Sequence, residues 1–180
     1  LNISPDHLER HKSMLNYTKI KSKILSAQKK NDYAYINSSG KYSKLIPKIV
    51  KIRSKLIKVE KNYCDFLLRK IKNKYLNKEG NHENLSFACK IVKNFKIKNS
   101  TIVEALSSFK GLNHRQEVVY SNKNNICIND SKATSFDASL QSLLNYNNIY
   151  WIVGGLPKYK DFFKLNRVSK KITKAYIIGK

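Results

Sequence analysis

Acidic residues are scarce in this chain. In 180 residues, 12 Asp plus Glu stand against 36 Lys plus Arg, a formal charge of +24. Cysteine is scarcer still: Cys64, Cys89 and Cys127 are three, odd in number and widely spaced. That arrangement matches neither a disulfide framework nor a zinc pattern, and it suits a reducing cytosol. No apolar run reaches the roughly 18 residues that a membrane span needs, which excludes a transmembrane helix. No charged-then-apolar leader is visible. The first residue is Leu1 rather than Met, from which we expect a fragment of a longer protein. With 6 Gly and 3 Pro, the chain shows no repeats and no low-complexity linker. It also lacks a glycine-rich loop ending in Lys and Ser/Thr, the usual backbone cradle for β- and γ-phosphates.

What is present argues for a folded chain. Hydrophobic residues make up 41% and aromatics 11%, enough to build a core despite the charge. A large positive charge usually suggests nucleic acid. Here the cations are 31 Lys and only 5 Arg, and 20 Asn and 19 Ile rise with the lysines. That combination is the mark of an AT-rich coding bias. Arg, not Lys, is the preferred residue for bidentate phosphate and base contacts. The lysines form no single stripe. A basic nucleic-acid-binding module therefore stands as an alternative of a different class.

Periodicity predicts an α/β chain. Residues 5–29 read as a helix with Met14, Tyr17, Ile20, Ile24 and Leu25 at helical spacing, stopped by Asn31–Asp32. Ala34–Ile36 reads as a strand and Asn37–Gly40 as a turn. Residues 45–75 fit strands or a helix, with Pro47 breaking any long element. Helices are predicted over Asn84–Phe95 and Ser100–Phe109, the latter with Ser100 as N-cap. The texture changes near Gly111, the expected domain boundary. Beyond it, short strands are predicted at Glu117–Tyr120, Asn125–Ile128, Ile149–Val153 and Ala175–Ile178, and a helix at Ala133–Leu144. That alternation is the rhythm of an open α/β sheet.

Four segments carry usable chemistry. Asp6–His7, in a loop before a helix, could bind a metal, or Asp6 or Ser4 could simply cap the helix. Lys21 is one lysine among many. In Gly111–Glu117, His114 and Arg115 together can hold phosphate, or Arg115 and Glu117 can form a surface pair worth little. Ile128–Thr134 ends a strand and opens a helix, where α/β sheets bind ligands and anions. A plain cap by Asp130 or Ser131 is the structural alternative. Gly154–Gly155 with Lys158 repeats the theme.

These segments bring a known family into view. NISPDHLERHKSMLNYTKIKSKI, with Asp6–His7–Leu8, Tyr17 and Lys21, resembles the central ATPase domain of the Mur ligases. FKGLNHRQEVV, INDSKATSFDAS and IYWIVGGLPK resemble the family's D-glutamate-adding branch, in the right order and at family-like spacing. The resemblance implies a partial central ATPase domain over 1–111 and a partial Rossmann-like C-terminal domain over 112–180. It implies an ATP- and Mg²⁺-dependent ligase that joins D-glutamate to UDP-N-acetylmuramoyl-L-alanine through an acyl phosphate. The fragment alone is expected to be inactive. The protein is expected to be a cytoplasmic monomer with no membrane or nucleic-acid partner. Another Mur-type amino-acid ligase, or a non-catalytic relative, is the nearer alternative.

Carried over residue by residue, the resemblance makes His7 a Mg²⁺ ligand and Lys21 a carbamylated lysine that contributes through its carbamate. A carbamate supplies the hard oxygens that Mg²⁺ prefers. Asn81 and Asn84 fall near adenine, His114 and Arg115 at ATP phosphate, and Asp130 at the ribose. Lys132, Thr134 and Lys158 are implied for the D-glutamate carboxylates. The sequence departs from the family at Lys78–Glu79–Gly80, where Gly-x-His is common. It departs again at Asn113, Ser135 and Leu156–Pro157.

Overall fold

A computed structural model describes residues 3–5, 7–155 and 165–179. The chain divides into two compact units, Leu1–Phe109 and Lys110–Lys180. No helix among the described residues is long and apolar enough to cross a membrane.

The first predicted helix is instead three: α1 (Leu8–His11), α2 (Met14–Lys21) and α3 (Lys23–Ala27). Lys12 takes a left-handed φ of 62°, and its N–H closes α1 on the Leu8 carbonyl. Ser13 then caps α2 by accepting from the Asn16 N–H at 3.1 Å. At the other end the Thr18 and Ser22 hydroxyls turn back onto the carbonyls of Met14 and Thr18, each at 2.7 Å. Such back-bonding competes with the helical ladder and bends it. The expected apolar stripe does not stay on one buried face, even within α2. Tyr17 is buried, while Ile20 and Ile24 are 47% and 70% exposed.

The next segment forms a parallel strand pair. Strand β1 (Tyr33–Asn37) runs beside β2 (Lys55–Val59) in the register Tyr33↔Lys55 to Asn37↔Val59. The crossover contains the short helix α4 (Ile46–Ile49), with Pro47 in its first turn. There a missing N–H costs nothing, so Pro47 opens an element instead of breaking one. After β2 come α5 (Asp65–Leu68), α6 (Glu79–Asn94) and α7 (Asn99–Ser108). Helix α6 starts five residues before the predicted Asn84. Ser100 lies inside the first turn of α7, and Lys98 occupies the N-cap.

The core of this unit joins Cys64, Leu67, Leu68, Ile71, Leu76, Leu85, Cys89 and Ile102. Cys64 and Cys89, both buried, face each other with Cα atoms 6.2 Å apart, while Cys127 is exposed. A separation of 25 residues gives no hint that α5 and α6 bring the two together. Asn73 stitches the loop between α5 and α6 to the end of α7. Its Nδ2 donates to the carbonyls of Leu106 and Phe109, both at 2.8 Å, and its Oδ1 accepts from the N–H groups of Tyr75 and Leu76.

In the second unit β3 (Glu117–Ser121) and β4 (Ile126–Asn129) form an antiparallel hairpin. The Asn122 side chain closes its turn by accepting from the N–H groups of Asn124 and Asn125. Helix α8 (Phe136–Leu144) is capped by Ser135, which accepts from the Ala138 N–H at 3.3 Å. It thus begins later than the predicted Ala133, and neither Asp130 nor Ser131 is its cap. Strands β5 (Ile149–Gly154) and β6 (Ile172–Ile178) pair in parallel. Leu140, Leu143 and Val168 form the core, with Phe136, Ile149, Trp151 and Ile172 packed around it. Lys171 Nζ donates to the Leu144 carbonyl at 3.1 Å and to Asn147 Oδ1 at 3.0 Å, a cation at the C-terminus of α8. Instead of one open sheet, the described strands form three two-stranded sheets across the chain. Hairpin β3–β4 pairs with itself because a short polar turn joins its strands, whereas β5 and β6 need a crossover.

Two stability predictions follow from these contacts. Replacing Asn73 by Ala removes four hydrogen bonds at a buried junction. A loss of roughly 2–4 kcal/mol is expected from a urea unfolding midpoint. Gly154 sits opposite Ile178, and a Cβ there would collide with the Ile178 backbone carbonyl. Gly154→Ala should therefore cost roughly 1–3 kcal/mol and weaken β6 pairing, seen as faster amide exchange along Ala175–Ile178.

Candidate functional site

The densest polar constellation lies in the second unit, where the turn before β3 meets the loop after β4. His114 has a left-handed φ of 60° and Gln116 one of 48°. Non-glycine residues adopt this conformation only when neighbours compensate. Those neighbours are identifiable. The His114 N–H donates to Glu117 Oε2 at 2.8 Å. Its carbonyl accepts from the Lys132 N–H at 3.0 Å. Its ring Nδ1 lies 2.8 Å from Asn129 Nδ2. The Gln116 N–H donates to Asp130 Oδ1 at 3.0 Å. The second loop is itself turned by Asn129 Oδ1, which accepts from the Ser131 N–H at 3.1 Å, and by the Ala133 N–H on the Asp130 carbonyl at 2.8 Å.

The structure thus brings His114 of one turn beside Asp130 and Lys132 of another loop. Arg115 and Lys132 are exposed, and neither side chain makes a hydrogen bond or ion pair among the described residues. Two cations and an exposed imidazole beside a half-buried carboxylate suit a polyanion that also carries hydroxyls. Glu117 accepts from the His114 backbone N–H and makes no pair with Arg115 among the described residues. Its Oε2 is 3.7 Å from His114 Nδ1 as well as bonded to the backbone. Thr134 follows in the same loop, its N–H on the Lys132 carbonyl at 3.0 Å. Lys158 lies outside the described residues, as does Asp6.

In the first unit the candidates are more dispersed. His7 has a φ of 53° at the start of α1, and its Nδ1 lies 3.5 Å from Glu9 Oε1. Lys21 is at the exposed end of α2, its Nζ 5.4 Å from the centre of the Tyr17 ring. That spacing of four residues stacks the ammonium on the face of the buried tyrosine. Asn81 and Asn84 are one turn apart at the start of α6. Asn81 Nδ2 donates to the Tyr75 carbonyl at 2.7 Å, and Asn84 is exposed. Glu83, between them, accepts from Asn37 Nδ2, so the start of α6 is tied to the C-terminal end of β1. Asn37 Oδ1 also accepts from the N–H groups of Ser39 at 2.7 Å and Gly40 at 2.9 Å, closing the turn after that strand. A cleft of about 360 Å³ is lined by Asp65, Leu68, Arg69, Asn77 and His82. Neither Asn81 nor Asn84 lines it.

Among the described residues no group of three or more His, Cys, Asp or Glu could hold a metal alone. The donor set fits Mg²⁺ only in part. An unmodified Lys21 ammonium repels a dication, whereas a carbamate on it would offer oxygens. Mg²⁺ normally keeps several waters and takes substrate phosphates as ligands, so a sparse protein set is compatible with it.

Sequence reading did not anticipate Glu83, Gln116 or Asn129 as partners, and it paired Glu117 with Arg115 instead of His114. Asn37 was read as the start of a turn, and an Asn followed by Ser-Ser-Gly at the end of a strand is the Asx-turn pattern that its Oδ1 makes. Asn129 had no such signal, since its partner is fifteen residues away.

Comparison with known proteins places the chain in a family. Residues 1–107 match the family described as Mur ligase middle domain. The chain is 35% identical over 196 residues to the UDP-N-acetylmuramoylalanine–D-glutamate ligase of Rickettsia felis, covering 99% of this chain and 44% of that protein. It is 35% identical to the ligase of the same name from Wolbachia sp. subsp. Brugia malayi, covering 38% of that protein. It is 31% identical to the one from Rhizobium meliloti, with 42% covered. The chain therefore spans about two-fifths of the length of these curated relatives. The match over more than half of its residues shows that this chain belongs to the Mur ligase family.

Proposed function

We propose that the whole protein is an ATP-dependent ligase that forms the amide bond between D-glutamate and UDP-N-acetylmuramoyl-L-alanine in peptidoglycan precursor synthesis. Residues 1–111 are the later part of its central ATPase domain, and 112–180 the first part of its C-terminal domain. The observation that supports this best is the joining of the His114–Arg115 turn to the Asn129–Lys132 loop. It gathers groups suited to phosphate, hydroxyl and carboxylate, and the relatives' names include D-glutamate, an acidic amino acid.

A carboxylate is a poor electrophile, so the alanyl carboxylate is activated by phosphoryl transfer and the amine of D-glutamate then displaces phosphate. Binding and electrostatics are the protein's part in such chemistry. In this reading the His114 ring and Arg115 guanidinium take ATP phosphate oxygens. Asp130 accepts from the ribose: its Oδ1 is engaged by the Gln116 N–H, and its other oxygen accepts no bond among the described residues. Asn81 and Asn84 lie toward adenine. Lys132, Thr134 and Lys158 hold the D-glutamate carboxylates. His7 and a carbamylated Lys21 would hold Mg²⁺, which when bound neutralises the charge between carboxylate and triphosphate. The reading places the enzyme in the cytoplasm as a monomer.

The assignment is tested by assaying the full-length enzyme with a panel of free amino acids. D-Glutamate should be preferred, and a preference for another amino acid would overturn the specificity. In the same enzyme, Lys21→Ala should lower the rate by on the order of 10²-fold or more, while Lys29→Ala stays near wild type. Formate or acetate should restore part of the lost rate by replacing the carbamate oxygens. An unchanged rate in Lys21→Ala would refute the carbamate role.

A further inference from the structure

We propose that Asn129 is a positioning residue that fixes the tautomer of the His114 ring, leaving Nε2–H as a neutral donor for a phosphoryl oxygen. The inference rests on the reading of His114 as a phosphate contact, but its geometry does not. Asn129 Oδ1 already accepts from the Ser131 N–H at 3.1 Å, which identifies the other end of the amide as the NH₂ group. That NH₂ group lies 2.8 Å from His114 Nδ1. Nδ1 must therefore accept, and the ring proton of the neutral imidazole resides on Nε2.

The alternatives fail on the same distances. Turning the amide over would face its NH₂ toward the Ser131 N–H, donor against donor, and strand a backbone group. A proton on Nδ1 would face the Asn129 NH₂ in the same way. Glu117 Oε2, at 3.7 Å from Nδ1, is beyond hydrogen-bond range and is already engaged by the His114 N–H. Ring orientation is set along with the proton. With N–H, carbonyl and Nδ1 each held, the Nε2 edge of the left-handed His114 has no partner among the described residues, and its side chain is 55% exposed. The device is thus a fixed donor aimed outward from a strained backbone, with Asn129 acting through His114 and touching no substrate itself.

Nitrogen NMR of histidine and asparagine side chains in the 180-residue chain tests this directly, recorded where the ring is neutral. Wild type should show the proton on His114 Nε2 and a scalar coupling across the hydrogen bond from Asn129 Nδ2 to His114 Nδ1. The isosteric Asn129→Asp replaces the donor by an acceptor, so the proton should move to Nδ1. Glu117→Gln should leave it on Nε2. Absence of the coupling in wild type, a proton on wild-type Nδ1, or an Asn129→Asp ring that keeps Nε2–H would each overturn the proposal. The wild-type measurement stands even if a variant fails to fold. In the full-length ligase, Asn129→Asp should lower kcat on the order of tenfold or more, with KM for D-glutamate little changed. A moved proton with an unchanged kcat would overturn the catalytic part of the inference. The expected NMR pattern in an enzyme that ligates no amino acid would instead sink the ligase reading and leave the tautomer assignment standing.

Discussion

Backbone N–H and C=O groups left over where a short helix or strand ends must find partners, and in this protein asparagine side chains repeatedly supply them. Asn73 joins the end of α7 to the loop before α6, Asn37 closes the turn after β1, and Asn122 closes the β3–β4 hairpin. Asn129 turns the loop on which Asp130 and Lys132 sit. Each amide both donates and accepts, so one side chain can satisfy two segments at once. Elements as short as four residues, such as α1, α4 and α5, leave many such ends. The abundance of Asn, which by composition alone looks like coding bias, thus has structural use.

The same constraint accounts for the contrast between the two groups of candidate residues. In the second unit, the His114 turn and the Asn129–Lys132 loop satisfy each other's backbone, and that mutual bonding positions side chains from the two ends of one hairpin. In the first unit, Lys21 and His7 stand on short exposed helices, each with a near neighbour as partner. A lysine stacked on a tyrosine four residues earlier is placed by helix periodicity alone. Its chemistry depends on what reacts with the amine, a matter that folding does not decide. The charge of +24 is likewise resolved into individual cations. Lys171 caps α8 and Lys21 stacks on Tyr17, whereas Arg115 and Lys132 are left exposed in the polar loop cluster.

Local features were legible in the residues themselves. Strand β1, helix α7, the β3–β4 hairpin, the body of α8 and strand β5 follow from apolar periodicity and turn residues. The motif residues His114, Asp130 and Lys132 could be singled out because polar groups cluster beside a strand end. The breaks within residues 5–29 were not legible. Serine and threonine back-bonding and a left-handed Lys12 decide them, and both are compatible with an apolar helical pattern. The start of α6 was hidden for a similar reason: no capping side chain marks it, and the Asn37–Glu83 bond that anchors it spans 46 residues.

The sequence by itself determined the alternation of helices and strands, the family, and which residue types could carry phosphate, metal and carboxylate chemistry. These depend on spacing within one element or one motif. Only tertiary structure decided that Cys64 meets Cys89, that Gly154 lies against Ile178, and that Asn129 faces the ring of His114. The physical reason is common to all three. Each depends on how separate elements approach one another, a distance of a few ångströms set by packing and strand register. No local pattern of residues encodes that approach.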